Sequence, residues 1–155
     1  MRRGMQASRM TLVVGVTLLT LVLHFGWEML QAPAFVRFAD SLWACTVRCF
    51  QAALGDVIIS GGAYAATALA FRRSAWPILP GWMAPATAWI VLGVIVTIVF
   101  ELWALSVGRW AYGEGMPLVF GIGLFPLLQW LVVPALTLVV LRQILARSDG
   151  PQTLS

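Results

Sequence analysis

Long apolar runs separated by short polar segments dominate the hydropathy pattern of this chain. The runs cover residues 10–31, 46–71, 83–105 and 118–141. Each run is long enough to cross a hydrocarbon core of about 30 Å as a helix that rises about 1.5 Å per residue. We therefore expect an all-α polytopic membrane protein with four transmembrane helices. Residues 1–147 would form a single domain, and residues 148–155 a polar C-terminal tail.

The composition supports the same class of protein. Of the 155 residues, 61% are hydrophobic and only 10% are charged. A soluble domain of this length could not cover so much apolar area with so few charges. No basic surface with interleaved aromatic residues lies outside the apolar runs, so a nucleic-acid partner is not expected. Cys45 and Cys49 have no matching histidine pair, so they make no zinc motif, and free thiols are expected.

The basic residues are all arginine, and their distribution predicts the topology. One side of the membrane would carry Arg2, Arg3, Arg9, Arg72, Arg73, Arg142 and Arg147. The opposite side would carry Arg37, Arg48 and Arg109. The positive-inside rule then places both termini in the cytoplasm. We expect the membrane to be the inner membrane of a bacterium. A cleaved signal peptide stays an alternative, although its apolar region would be unusually long.

A weak internal repeat relates the two halves of the chain. At an offset of 73 residues, Glu28 matches Glu101 and Asp56 matches Gln129. Each half would be a two-helix hairpin with an acid on its first helix and a polar group on its second. Such units repeat in the same orientation, so they could pack about an axis along the membrane normal. Chance agreement is the alternative, because only two polar matches and the order of the spans support the repeat.

Polar side chains inside the apolar runs are the candidate functional residues. His24, Glu28 and Gln31 share one face of the first helix, because positions i, i+4 and i+7 stack. Each of the other runs adds a polar group in the outer half of the membrane: Asp56, Glu101 and Gln129. An aspartate facing lipid at the membrane centre costs about 2.5–3.5 kcal/mol. We therefore expect these groups to face each other or a wet cavity.

Clustered carboxyl groups indicate proton-transfer chemistry. Burial and a nearby like charge both favour the protonated form of a carboxyl group, which can then donate its proton to a substrate. The catalytic candidates are His24, Glu28, Asp56 and Glu101. The candidates for substrate binding are Gln31, Trp110, Tyr112 and Gln129. This chemistry needs no cofactor, and none is expected.

Three other interpretations of the same residues stay open. Intramembrane polar groups can join helices through hydrogen bonds that contribute about 1 kcal/mol each. A transport component, or an accessory subunit of a larger membrane complex, could use the acids as an ion pathway in a homo-oligomer. A metal site built from His24, Glu28, Asp56 and Glu101 would lack the second histidine that is usual in helix bundles.

One stretch resembles the membrane lycopene cyclase domain family. Residues 101–130, ELWALSVGRWAYGEGMPLVFGIGLFPLLQW, begin with Glu101 and continue with a Gly-x-Trp-x-aromatic turn and a Gly-rich start of the next helix. Where the family has Pro-x-Glu-Glu, this chain has Pro126-Leu127-Leu128-Gln129 and neither glutamate. The resemblance implies a membrane enzyme in which an acid protonates a double bond of a carotenoid and the cation closes a ring.

Two further resemblances concern the whole arrangement. The His-x-x-x-Glu helix, with acids on neighbouring helices, resembles sterol double-bond isomerases of the emopamil-binding kind. The chain is also similar to a group of small bacterial four-span proteins with no assigned function. Both enzyme resemblances imply a proton donor that faces an isoprenoid or other apolar lipid. We therefore expect a cyclase or isomerase, with the non-catalytic transport component or accessory subunit as the alternative.

Overall fold

The computed structural model describes residues 2–36 and 40–148. Within these residues the chain folds into four long α-helices, α1 (Arg2–Gln31), α2 (Leu42–Ala70), α3 (Met83–Ser106) and α4 (Leu124–Ser148). Short 3₁₀ turns at Ala32–Ala34 and Trp76–Ile78 follow α1 and α2. Arg37 and residues 149–155 of the predicted tail lie outside the described residues.

Every one of these helices is long and apolar enough to cross a membrane. The candidate span on α1 is Val13–Ala34, and the span on α4 is Leu124–Ile144, while α2 and α3 qualify over their whole length. α1 packs against α2 and α4, and α3 packs against the same two helices from the other side. The chain is a multi-pass membrane protein, and the prediction of an all-α bundle of apolar helices is confirmed.

The end of the bundle that carries the loop between α2 and α3 has a sealed core, and we term it the inner end. Its core consists of Val16, Ala63, Trp76, Ala86, Trp89, Leu138 and Leu141. Trp76 comes from the loop itself and is 1% exposed. Arg142 donates to the Pro77 carbonyl at 2.6 Å and lies over the Trp82 ring at 4.8 Å, which fixes the loop on α4.

The opposite end, termed the outer end, is closed by two loops whose backbones pair. Val36 donates to the Ala111 carbonyl at 2.9 Å, and Gly113 donates to the Ala34 carbonyl at 2.8 Å. A β-carbon on Gly113 would lie 3.2 Å from the Ala34 oxygen, so the close approach of the two backbones favours glycine. The pairing holds the loop after α3, which contains Tyr112, over the ends of the helices.

The predicted start of the fourth helix at 118 is wrong. Leu118–Val119 pair with Ile122–Gly123 as a two-stranded antiparallel hairpin, and α4 begins only at Leu124. Phe120 has φ 51° and Gly121 has φ 82°, in the left-handed region that a right-handed helix excludes. The apolar run therefore continues through a turn that hydropathy alone does not separate from the helix.

The second helix begins earlier than predicted, at Leu42 rather than 46. The preceding Ser41 has extended backbone angles, and its Oγ accepts a hydrogen bond from the Ala44 amide at 3.1 Å. Serine is a preferred N-cap because its oxygen binds an amide that the first turn leaves free. This cap extends α2 by one turn beyond the start of the apolar run.

Candidate functional site

Gln129 of α4 lies at the centre of a group of polar side chains inside the bundle. Its Nε2 lies 2.7 Å from His24 Nδ1, 3.1 Å from Glu28 Oε1 and 2.8 Å from Asp56 Oδ2. These partners come from α1 and α2, so one amide joins three helices. His24, Glu28, Gln31, Asp56 and Gln129 are termed the polar cluster below.

Gln31 completes the polar cluster on its outer side. Its Nε2 donates to Glu28 Oε1 at 2.8 Å and to Gln129 Oε1 at 3.3 Å. Its own Oε1 accepts a hydrogen bond from Trp27 Nε1 at 3.1 Å. Trp27 is absent from the predicted site, although its spacing of four residues from Gln31 places both on one helix face.

The predicted repeat matches two pairs of residues, and the contacts made within the structure differ between the two pairs. Asp56 and Gln129 contact each other inside the bundle, as two residues at the same depth near a common axis would. Glu28 belongs to the polar cluster, whereas Glu101 has its hydrogen-bond partners in the loop after α3. The pattern of polar positions thus agrees between the halves, but the surroundings of the two glutamates do not.

The Gln129 amide nitrogen has more polar neighbours than hydrogens. A side-chain amide carries two N–H donors, yet three acceptor atoms lie within hydrogen-bond distance of this nitrogen. His24 Nδ1 lies 3.3 Å from Asp56 Oδ2, and the Glu28 and Asp56 carboxyl groups are also within reach of each other. The mismatch is removed if Nδ1 carries the ring proton and donates to Asp56 instead of accepting, or if the two carboxyl groups share a proton. Hydrogen-bond counting therefore favours a proton held within the polar cluster.

His24 is fully buried, and one of its ring nitrogens is unsatisfied. Nδ1 faces Gln129, while Nε2 has no hydrogen-bond partner among the described residues. The ring packs at a tilt against Trp130, with the ring centroids 5.2 Å apart. One turn earlier on α1, the buried Thr20 hydroxyl also lacks a partner within the described part of the chain. Thr20 and Trp130 are absent from the predicted site, because neither residue type stands out in an apolar run.

Glu101 lies in a second polar group nearer the outer surface. Its Oε2 accepts hydrogen bonds from Trp110 Nε1 at 3.2 Å and from the Tyr112 hydroxyl. Burial raises the pKa of Tyr112, and the Glu101 carboxylate raises it further, so the hydroxyl keeps its proton and remains a donor. Trp110 and Tyr112, predicted to bind substrate, here contact a predicted catalytic acid.

A groove between α1 and α2 continues inward from the polar cluster. It has a volume of about 240 Å³ and is lined by side chains from Val13 to Thr20 of α1 and from Val57 to Ala65 of α2. Thr20 lies one turn inward from His24 on the same face of α1, so the outer end of the groove comes within about one helical turn of the polar cluster. The lining includes exposed residues on both helices, so the groove opens sideways, where lipid would surround the bundle.

The geometry also bears on metal binding and on the cysteines. Within residues 2–36 and 40–148, no group of three or more His, Cys, Asp or Glu side chains is arranged to hold a metal ion. The ligand set suggested for a metal does not assemble there, because Glu101 bonds to the loop after α3. Cys45 and Cys49 are free thiols, with their sulfur atoms 3.9 Å apart.

The fold and the polar cluster define the class of protein, a multi-pass membrane protein with ionisable side chains joined inside its bundle. No protein-family model, curated protein or solved structure matches the chain. The resemblance to the membrane lycopene cyclase domain family therefore stays a prediction. Any more specific function has to be argued from the site itself.

Proposed function

We propose that this protein is a membrane enzyme that transfers protons to and from an isoprenoid or other unsaturated apolar lipid, as a cyclase or isomerase does. One observation supports this most: two carboxyl groups and an imidazole meet inside the bundle, next to a groove that opens toward lipid. An apolar substrate can reach such a site from the bilayer without crossing water.

Asp56 is the proposed proton donor. Its side chain is 16% exposed, whereas the side chain of His24 is fully buried, so Asp56 is the more accessible of the two. The next residue on α2, Val57, lines the groove, so the carboxyl group lies near its outer end, although Asp56 itself is not a lining residue. Glu28 and His24 are the proposed proton reservoir, because both lie within reach of Asp56 and share its amide donor.

The amides and the second polar group have supporting roles in this proposal. Gln31 and Gln129 orient the carboxyl groups through hydrogen bonds to Glu28 and Asp56. Glu101 and Tyr112 lie on the outer side of the polar cluster, and Glu101 is near enough to Asp56 to interact with it electrostatically. That position suits the return of protons from the outer surface.

The reaction class follows from what a proton can do in an apolar site. Protonation of a carbon–carbon double bond gives a carbocation, and a second double bond of the same molecule can attack it to close a ring. Loss of a different proton to a carboxylate then restores a double bond and leaves a cyclised or isomerised product. The sequence is redox-neutral, so protons are the only species exchanged with the protein.

Comparison of products in a lipid-producing host tests this function. We expect expression of the chain with linear carotenoids or sterol intermediates to give a rearranged product of unchanged mass. Asp56→Asn and Glu28→Gln should abolish that product, because each keeps its shape but cannot supply a proton. Glu114→Gln, on an exposed acid of the outer loop, is the matched control and should leave the product unchanged. A product profile identical to that of the empty host would count against the proposal.

The proposed location is the inner membrane of a bacterium, with both termini in the cytoplasm. The distribution of arginine supports this orientation, since Arg72, Arg73 and Arg142 lie toward the inner end, and Arg109 lies at the outer end. A reporter that is active only in the cytoplasm should therefore function when fused after residue 155. If a reporter that folds only outside the cytoplasm were active at this position instead, the C-terminus would lie outside and the proposed orientation would be wrong.

A further inference from the structure

We infer that the groove between α1 and α2 binds one long, neutral isoprenoid chain that carries a hydroxyl or carbonyl group, with Thr20 as the hydrogen-bond partner of that group. The inference deepens the proposed function and depends on it for naming this lipid as the substrate. The binding itself can be tested separately from the chemistry.

The size of the groove fits a single chain. Its volume of about 240 Å³ is below the roughly 300–1,000 Å³ of sites for drug-sized ligands. From Val13 to Thr20 it extends about 10 Å along α1, at 1.5 Å per residue. A helix with side chains is about 10 Å wide and could not enter it, which excludes a helix of a second copy as the occupant. A stretch of one branched or straight hydrocarbon chain matches these dimensions.

The floor of the groove carries an unsatisfied hydroxyl. Thr20 lines the groove and is 2% exposed, and its Oγ1 has no partner among the described residues. A helical threonine commonly bonds the carbonyl four residues earlier, as Thr137 does to Val133 at 2.9 Å. The Thr20 hydroxyl therefore keeps the capacity to form a hydrogen bond with an occupant of the groove.

A second unsatisfied atom lies one turn closer to the outer end. His24 Nε2 is buried and, within the described residues, has no partner. His24 is fully buried and does not line the groove, so Thr20 is the hydrogen-bond partner that the groove itself offers. A ligand bonded to Thr20 would be held about one helical turn from His24, which contacts Asp56, the proposed proton donor.

The depth of these atoms distinguishes the ligand from bulk lipid. His24 lies near the middle of the Val13–Ala34 span, where phospholipids present only hydrocarbon because their polar groups lie at the interface. A polar group at this depth needs a neutral carrier that can reside within the bilayer. A long isoprenoid alcohol or ketone has that property, and an acyl chain does not.

Photo-crosslinking of the full-length protein in liposomes tests this inference. The probes are a diazirine-labelled long-chain isoprenoid alcohol, the matching hydrocarbon and a diazirine-labelled phospholipid, with attachment sites mapped by mass spectrometry. We expect the alcohol to label α1 and α2 about tenfold more than the hydrocarbon, as one hydrogen bond allows. Ala65→Leu fills the groove and should reduce this labelling at least tenfold. Ala66 lies outside this groove and lines a separate one between α2 and α3, so Ala66→Leu should not reduce the labelling.

The hydroxyl contact has its own control pair. Thr20→Val keeps the shape of the side chain and should remove the preference for the alcohol while labelling by the hydrocarbon persists. Thr67→Val removes an equally buried hydroxyl that has no partner in the described residues and lies outside the groove, so the preference should survive. Equal labelling by all three probes, or labelling insensitive to Ala65→Leu, would overturn the inference.

Combined measurements separate this inference from the proposed function. Glu28→Gln should retain selective labelling while product formation is lost, because the residue is outside the groove. Selective labelling without any product in the host would support the binding site and overturn the enzyme. Product formation with no selective labelling would support the enzyme and overturn the binding site.

Discussion

Gln129 Nε2 lies 2.8 Å from Asp56 Oδ2, and this contact links α4 to α2, two helices whose main packing partners are α1 and α3. The same nitrogen contacts His24 and Glu28, so removal of the amide leaves two buried groups and the partly buried Asp56 without their shared donor. We predict that Gln129→Leu lowers the free energy of unfolding by about 1–3 kcal/mol, the cost of leaving a buried polar group unsatisfied. Thermal unfolding of both proteins in detergent measures this loss of stability.

A control on the same helix distinguishes loss of the contact from loss of an amide. Gln143 is exposed on α4, so Gln143→Leu should leave the unfolding temperature unchanged. If both variants lost the same stability, the polar cluster would contribute nothing specific to folding. If neither did, the hydrogen bonds in the cluster would be energetically neutral.

The contact between α3 and α4 depends on Gly93. A β-carbon built on this residue would lie 1.9 Å from Trp130 Cε3, so the indole ring occupies the space that any side chain would need. Trp130 in turn packs against His24. We predict that Gly93→Ala lowers the free energy of unfolding by about 1–3 kcal/mol, because overpacking shifts the ring and its neighbours. Chemical or thermal denaturation in detergent would detect the loss.

Gly26→Ala is the matched control for Gly93→Ala. Gly26 lies within α1, and a β-carbon there meets nothing within 4 Å. Alanine should therefore increase stability by about 0.5–1 kcal/mol through its better helix propensity. Equal effects at the two glycines would show that helix propensity, and not the indole ring, decides the outcome.

The membrane spans and the meeting of the polar cluster could be predicted from local information. A run of more than 20 apolar residues reports a span regardless of its neighbours. The depth of Asp56 and Gln129 follows from counting residues along each helix, and residues at one depth on inward faces are expected to meet. Their contact at 2.8 Å agrees with this estimate of depth.

The surroundings of Glu101 could not be predicted in the same way. They depend on a loop that turns at Gly108, with φ 64°, and then pairs its backbone with Ala34. Turn conformation and long-range pairing leave no hydropathy signal, so Trp110 and Tyr112 look like separate candidates in the sequence. The contact of Gly93 with Trp130 could not be predicted either, because a glycine in an apolar run does not indicate which residue packs against it.

The titration of Tyr112 tests its contact with Glu101. Tyr64 and Tyr112 are the two tyrosines of the chain, so the Tyr64→Phe variant reports Tyr112 alone. Burial first, and the Glu101 carboxylate second, raise the pKa of Tyr112 above its ordinary value of 10.0. We predict that phenolate absorbance appears only well above pH 10.

The same shift predicts how stability depends on pH. The folded state holds the Tyr112 proton more tightly than the unfolded state, so the resulting stabilisation is complete below pH 10 and is lost as pH rises through the raised pKa. Glu101→Gln, in the Tyr64→Phe background, should move the titration midpoint toward the ordinary value, since it removes the carboxylate. An unshifted midpoint in the parent variant would mean that Tyr112 is open to water.

The sealed inner end predicts that the chain does not conduct protons across the membrane. Side chains such as Val16, Trp89 and Leu138 fill the core between the polar cluster and the inner loop. We expect liposomes containing the protein to hold a pH gradient as long as protein-free liposomes do, with a proton carrier added at the end as the positive control. Asp56→Asn should then make no difference, because the acid serves a site that opens to lipid. A proton flux that Asp56→Asn abolishes would instead favour a transport component, in which copies of the chain complete a pathway past this core.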